Sequence, residues 1–162
     1  MDSLTKFTPF QSSEFISQEF VDFLISQCPL GNSPIHGLKH WTSVLENGRK
    51  LAVETGANLE VVELFSVLHD ARRENENDDP EHGHRAAALA RKCNGNWFDL
   101  SDVEMQDLDD ACYYHADGYT KHTITVMTCW DSDRLDLGRV GIKPAAKYLC
   151  TEAAKALAEA IH

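Results

Sequence analysis

No apolar run in the chain exceeds a few residues, so no segment reads as a bilayer span. The opening stretch "MDSLTKFTPFQSSEF" has no basic-then-apolar order of the kind that marks a secretory leader, and a cytoplasmic location is the expectation. Positive charge is scarce: 15 Lys and Arg against 26 Asp and Glu give a net charge of −11. A surface that acidic repels the nucleic-acid backbone, which argues against duplex binding as a role. It leaves room for a small phosphorylated substrate, because a bound metal reverses the local sign of the field. The five cysteines (Cys28, Cys93, Cys112, Cys129, Cys150) are odd in number and form no CxxC. They read as reduced core thiols, not as a disulfide framework or a zinc site. Internal repeats and low-complexity linkers are missing as well.

What is there is an ordinary globular composition, 43% hydrophobic and 25% charged over 162 residues. That length fits one domain, taken as residues 1–162, with enough chain to bury a core. Apolar spacing is helical nearly throughout. "SEFISQEFVDFLISQC" opens on serine and places Phe15, Ile16, Glu19, Phe20, Phe23 and Leu24 on one stripe. This phenylalanine-rich helix reads as core packing and could also serve a homodimer interface. Pro29, Gly31 and Pro34 break it. A second helix carries His40, Trp41, Val44, Leu45, Gly48, Leu51 and Ala52 and ends near Gly56. Asn58 caps a third, with Val61, Val62, Leu64, Phe65, Leu68 and His69 inward. After the polar loop "ENENDDP", Asp79 as N-cap with Pro80 in the first turn starts a fourth helix that runs to Gly95. "SDVE" at 101–104 is a capping box for a fifth, stopped by Gly118. Residues 123–137 read as a sixth, although the β-branched start also suits a short strand. "KPAAKYLCTEAAKALAEAI" closes the chain with Pro144 in a first turn. The expected fold is all-α, a single-domain bundle of about seven helices.

The eight histidines are unevenly placed on this pattern. His40 lies four before Val44, His69 four after Phe65, and His115 four after Ala111, so each shares the inward stripe of its own helix. His82 occupies the first turn of the fourth helix, with Ala86 one turn on. One inward histidine is readily satisfied by a core hydrogen bond. Four from four helices, with the Asp70 carboxylate beside His69, would each need a private partner, whereas a shared divalent cation satisfies all of them. In "ITVMTCWDSDRLDLGR", Val126, Cys129, Trp130, Asp133 and Leu137 share one face, which makes Asp133 the inward carboxylate. Asp131 points roughly opposite, toward solvent or Arg134 and Arg139, and stays as the alternative ligand. Asp136 reads as part of a solvated face. His84 faces away from His82 and reads as a surface residue. His36, one turn before His40, could line the pocket or cap the helix, and His122 and His162 look superficial.

The order His40, then His69-Asp70, then Asp133 resembles the HD-domain superfamily of metal-dependent phosphohydrolases. The likeness extends along "HGLKHWTSVLENGRKLA", "LFSVLHDARREN" and "DSDRLDLGRVG", in which an acid precedes Arg-Leu, and "PEHGHRAAALA" is similar to the His-Gly helix start of members with a second metal. These segments span roughly residues 35 to 141. The resemblance implies a first metal site of His40, His69, Asp70 and Asp133. His82 and His115 stand where the ligands of a second ion should be, with Asp70 bridging the two. One or two divalent ions are implied, from among Mn, Mg, Co, Ni, Zn and Fe.

A divalent ion held by imidazole and carboxylate with open positions makes hydroxide available near neutral pH and offsets charge developing on a phosphoryl group. Asp70 would hold the metal and orient or deprotonate water. Arg72 and Arg73 are candidates to clamp phosphate, with Lys39 and Arg134 as weaker ones; cations at a helix C-terminus account equally well for the arginine pair. The expected activity is hydrolysis of a nucleotide or other small phosphate ester. The same six-ligand set resembles di-iron HD-domain oxygenases, which include myo-inositol oxygenase, and a catalytically silent metal- and nucleotide-binding sensor is the third alternative.

Overall fold

Every residue of Val61–Leu68 is buried, so the helix they form has neighbours on all sides. The computed structural model describes residues 9–160. Among these lie seven α-helices: α1 (Gln18–Gln27), α2 (Leu38–Thr55), α3 (Leu59–Leu68), α4 (His82–Cys93), α5 (Asp102–Tyr114), α6 (Ile124–Arg134) and α7 (Glu152–Ala160). No strand occurs among them, only an isolated bridge between Asn94 and Phe98. Helix α3 packs against α2, α5, α6 and α4, while α4 lies along α5 and α2 along α6. The architecture is all-α. None of these helices is long and apolar enough to cross a membrane.

Local chemistry explains most of the helix limits. Asn58 accepts from the Val61 amide to start α3, and Thr123 accepts from Val126 to start α6. Ser101 and Glu104 form a reciprocal capping box on α5, and Glu104 also receives Asn58 Nδ2 at 2.8 Å, joining two helix starts. Gly56 closes α2 at φ 76°, a left-handed conformation that favours glycine.

Three expected starts move. Helix α1 begins after Ser17, whose hydroxyl accepts from Phe20 N, so Phe15 and Ile16 lead into the helix instead of belonging to it. Asp79 is not the cap of α4. Its carboxylate accepts from the Glu74 and Asn75 amides and pairs with Arg85, organising the preceding loop. Residues 146–148 form only a 3₁₀ turn, and α7 starts behind Thr151, whose hydroxyl accepts from Ala154 N. Pro144 therefore lies well before the helix. The phenylalanines of α1 are core: Phe20 is buried and Phe23 packs against the same cluster.

Gly83 fixes how closely α4 approaches α5. A Cβ there would stand 2.8 Å from the carbonyl oxygens of Cys112 and Tyr113, backbone that cannot swing aside. Only glycine allows this approach, and it sits next to His82. The cysteines are all free thiols. Burial pushes Cys28 and Cys93 up to about 11 and Cys150 to about 12, so they are poor nucleophiles near neutral pH.

Candidate metal centre

Five helices deliver polar side chains to one end of the bundle. His40 is in the first turn of α2, His69 caps the end of α3 with Asp70 next to it, His82 opens α4, His115 caps α5, and Asp133 lies in the last turn of α6. At a helix end the chain diverges from the axis, so two neighbours such as His69 and Asp70 can face the same volume. His40, His69, Asp70, His82 and His115 are all buried.

Each histidine uses Nδ1 on an acceptor outside the cluster. His40 Nδ1 donates to Asp136 Oδ2 at 2.7 Å, His69 Nδ1 to Phe65 O at 3.0 Å, His82 Nδ1 to Asp79 O at 2.5 Å, and His115 Nδ1 to Cys112 O at 2.7 Å. When these imidazoles are neutral, every Nε2 carries a lone pair directed at the others. His40 and His69 bring their Nε2 atoms to 3.0 Å, and His82 and His115 bring theirs to 2.9 Å. Two lone pairs cannot hydrogen-bond to each other.

The carboxylates complete two trios. Asp133 Oδ1 is 3.0 Å from His40 Nε2 and 3.4 Å from His69 Nε2. Asp70 spans both groups: Oδ2 lies 3.6 and 3.7 Å from the nitrogens of His40 and His69, and Oδ1 lies 3.3 and 3.5 Å from those of His82 and His115. His40, His69 and Asp133 form one group able to hold an ion, and Asp70, His82 and His115 form the other. Nitrogen and carboxylate ligand atoms gathered this closely fit a cation. Two nitrogens at right angles, each about 2.1 Å from one ion, stand about 3.0 Å apart, which is the separation within each pair.

Charge follows the same geometry. Burial would raise the Asp70 and Asp133 carboxyls, but His69 and the hydrogen bonds from surrounding imidazoles outweigh it and hold both well below the usual range. Burial lowers His40, yet hydrogen bonds to Asp133 and Asp136 and the charges of Asp133 and Asp70 win, pushing it up to about 9. Without an ion, the His40 imidazolium links two carboxylates, Nδ1–H to Asp136 and Nε2–H to Asp133.

Several other placements differ from the sequence reading. Asp131 is buried and stands outside both trios; its carboxylate accepts from Cys150 N, Thr151 N and Thr151 Oγ1 at 2.7–2.8 Å and ties the start of α7 to α6. Asp136 is not a solvated acid but the partner that orients His40. His36 donates Nδ1 to Asp70 Oδ2 at 3.1 Å and so lines the centre from behind. His84 pairs with Glu81 and stacks on Tyr113, away from the cluster, and the exposed His122 contacts Asp110. His162 lies outside the described residues.

A cavity of about 380 Å³ opens beside the trios, walled by Asp70, His82, His115, Asp133, Arg73 and Arg139 among others. Arg73 reaches His82 Nε2 at 3.1 Å and Asp70 Oδ1 at 3.9 Å, and backbone carbonyls of Asn75 and Asn77 hold its guanidinium. Arg139, which the sequence reading did not single out as a site residue, is fixed by bonds to Ile35 O and Asp136 O. Its signal is faint: an arginine three residues past Asp136 in a short 3₁₀ helix. Arg72 turns the other way, donating to Gln27 O, and does not face the cluster. Lys39 lines a neighbouring cavity of about 290 Å³ that touches His40 and Asp136. Arg134 bonds to Tyr148 O and Cys150 Sγ and lies over Trp130, holding the C-terminal segment, while still edging a further cavity with His115 and Asp133.

No protein-family model matches the chain, and no curated protein matches it. Among solved structures, it is similar to the crystal structure of a predicted HD superfamily hydrolase from an uncultured Thermotogales bacterium. The two share 21% identity over 88% of this chain and 83% of the other, with a TM-score of 0.68. At that identity the likeness is one of fold: the chain shares the fold of that predicted HD superfamily hydrolase.

Proposed function

We propose, from the HD-superfamily fold and the two trios of converging donors, that the protein is a metal-dependent phosphohydrolase acting on a nucleotide or other small phosphate ester. The observation that carries this reading is the convergence of four Nε2 atoms around Asp70, each on a ring whose Nδ1 is engaged elsewhere. A divalent ion held there supplies Lewis acidity and brings a water to a pKa of about 7. The protein's side chains supply the rest. Arg73 and Arg139, already anchored by backbone carbonyls, present guanidinium N–H groups to phosphoryl oxygens and offset their charge. Asp70, ionised and surrounded by imidazoles, orients the attacking water or takes its proton. The water's oxygen bonds to phosphorus as the ester P–O bond breaks, and the proton taken from the water passes by way of Asp70 to the leaving alkoxide. The cavity of about 380 Å³ suits a small ester, and the charge of −11 disfavours a polymeric nucleic acid.

Purified protein loaded with manganese or cobalt is expected to release phosphate or nucleotide from some member of a panel of phosphomonoesters and phosphodiesters. Absence of turnover with every metal, or turnover unchanged in His69→Ala and Asp70→Ala, overturns the reading.

The position of Asp70, one oxygen toward each trio, favours a second reading, a di-iron oxygenase of the same fold. Oxygen-dependent turnover with bound iron would support it, and activity with magnesium would exclude it.

A further inference from the structure

Arg72 and Arg73 are adjacent in the chain but line different cavities. Arg73 faces the metal cluster, whereas Arg72 faces a cavity of about 450 Å³ bounded by α1, α4 and the turn that carries Trp97. Its wall holds the cations Arg72, Arg85 and Lys92, the amides of Gln27 and Asn96, and the Trp97 indole, with no carboxylate. On a chain with 26 acids and 15 bases, that is a local reversal of charge.

The cations are unevenly engaged. Arg85 donates Nη2 to both oxygens of Asp79 at 2.7 Å and Nε to Arg72 O. Arg72 bonds through Nη1 to a backbone carbonyl, and neither it nor Lys92 makes an ion pair among the described residues. Trp97 is held by stacking on Phe20 and Phe23, with centroids 5.2 and 5.1 Å away, yet stays 38% exposed. A rigid indole beside unpaired cations offers both halves of a recognition surface. The indole takes the face of a ring, and guanidinium and ammonium groups take a phosphate. The volume lies within the range of small-molecule sites.

We propose that this cavity binds a phosphorylated ligand with a planar ring, of mononucleotide size, with its phosphate on Arg72 and Lys92 and its ring against Trp97. The site is separate from the metal centre and does not depend on the phosphohydrolase reading.

The test uses the full chain stripped of metal in EDTA, titrated with each of the four ribonucleoside 5′-monophosphates while tryptophan emission is followed. Trp41 and Trp130 are fully buried, so a ligand in this cavity acts chiefly on Trp97. Saturable quenching by at least one nucleotide is expected, with the matching nucleoside, which lacks phosphate, failing to bind. The double variant R72E/K92E should weaken binding by about tenfold or more while keeping the thermal transition and manganese uptake of the parent. Arg72→Gln with Lys92→Gln gives the same readout if charge reversal disturbs folding. No saturable binding at millimolar nucleotide overturns the proposal. So does binding that survives both double variants, or binding abolished by Asp70→Ala instead.

Discussion

At His40 a proton and a divalent ion would compete for one lone pair. Without the ion, the imidazolium sits between Asp133 and Asp136 with its pKa pushed up to about 9. A histidine whose pKa is raised on folding stabilises the protein fully below its unfolded value of about 6.5, and that stability is lost as pH rises through the folded value. The melting temperature of EDTA-treated protein should therefore fall between about pH 6.5 and 9. Asp70 and Asp133, with depressed values, contribute in the opposite direction and lose their stabilisation only in acid, below the ordinary carboxyl range. The same proton must leave when metal binds, so manganese affinity should climb by about tenfold per pH unit below 9, with close to one proton released per ion. Calorimetry in buffers of different ionisation enthalpy reads that proton directly. Asp136→Asn removes the carboxylate that orients His40 and should cut metal affinity by roughly 10- to 100-fold while the fold persists, measured by chelator competition.

Between elements, the approach of α4 to α5 sets the spacing of His82 and His115. In Gly83→Ala the new methyl meets two carbonyl oxygens of α5, so α4 must withdraw and the two Nε2 atoms separate. Metal uptake should drop at that trio and persist at His40, His69 and Asp133, a change that stoichiometry by equilibrium dialysis detects. Asp131→Ala instead leaves the Cys150 and Thr151 amides and the Thr151 hydroxyl without their shared acceptor. It should cost roughly 3 kcal/mol, and thus about 10 °C in melting temperature, with metal uptake unchanged. These two residues also mark how far the sequence could be read. Helical spacing separated Asp133 from Asp131, because their directions around α6 do differ. It then sent Asp131 to solvent, since a helical wheel assumes one buried face, whereas α6 is enclosed by its neighbours on one side and by the segment leading to α7 on the other. The caps at Asn58 and Ser101 were legible because each is settled within four residues. Asp79 and Pro144 had the right local chemistry, but Arg85 engages the first and a 3₁₀ turn intervenes after the second.

Over the whole molecule, five helices converge at one end on acceptor atoms. An ion bound to them links α2, α3, α4, α5 and α6 in the folded state alone. Manganese at about one hundred times its dissociation constant should add about 2.7 kcal/mol, or roughly 5–10 °C in melting temperature, and Asp70→Ala should abolish that shift. The four histidines and two aspartates were visible in the sequence as inward positions on separate helices. Their second partners were not: Asp136 behind His40 and Arg139 on the cavity wall depend on contacts between residues about 100 apart, which no local periodicity encodes. The most direct measurement is the number of manganese ions retained per chain after equilibrium dialysis of the parent and of Asp70→Ala. Retention of one or two ions by the parent, with loss in the variant, is what lone pairs converging on Asp70 require. A parent that retains none, or a variant that binds as many, would contradict the account.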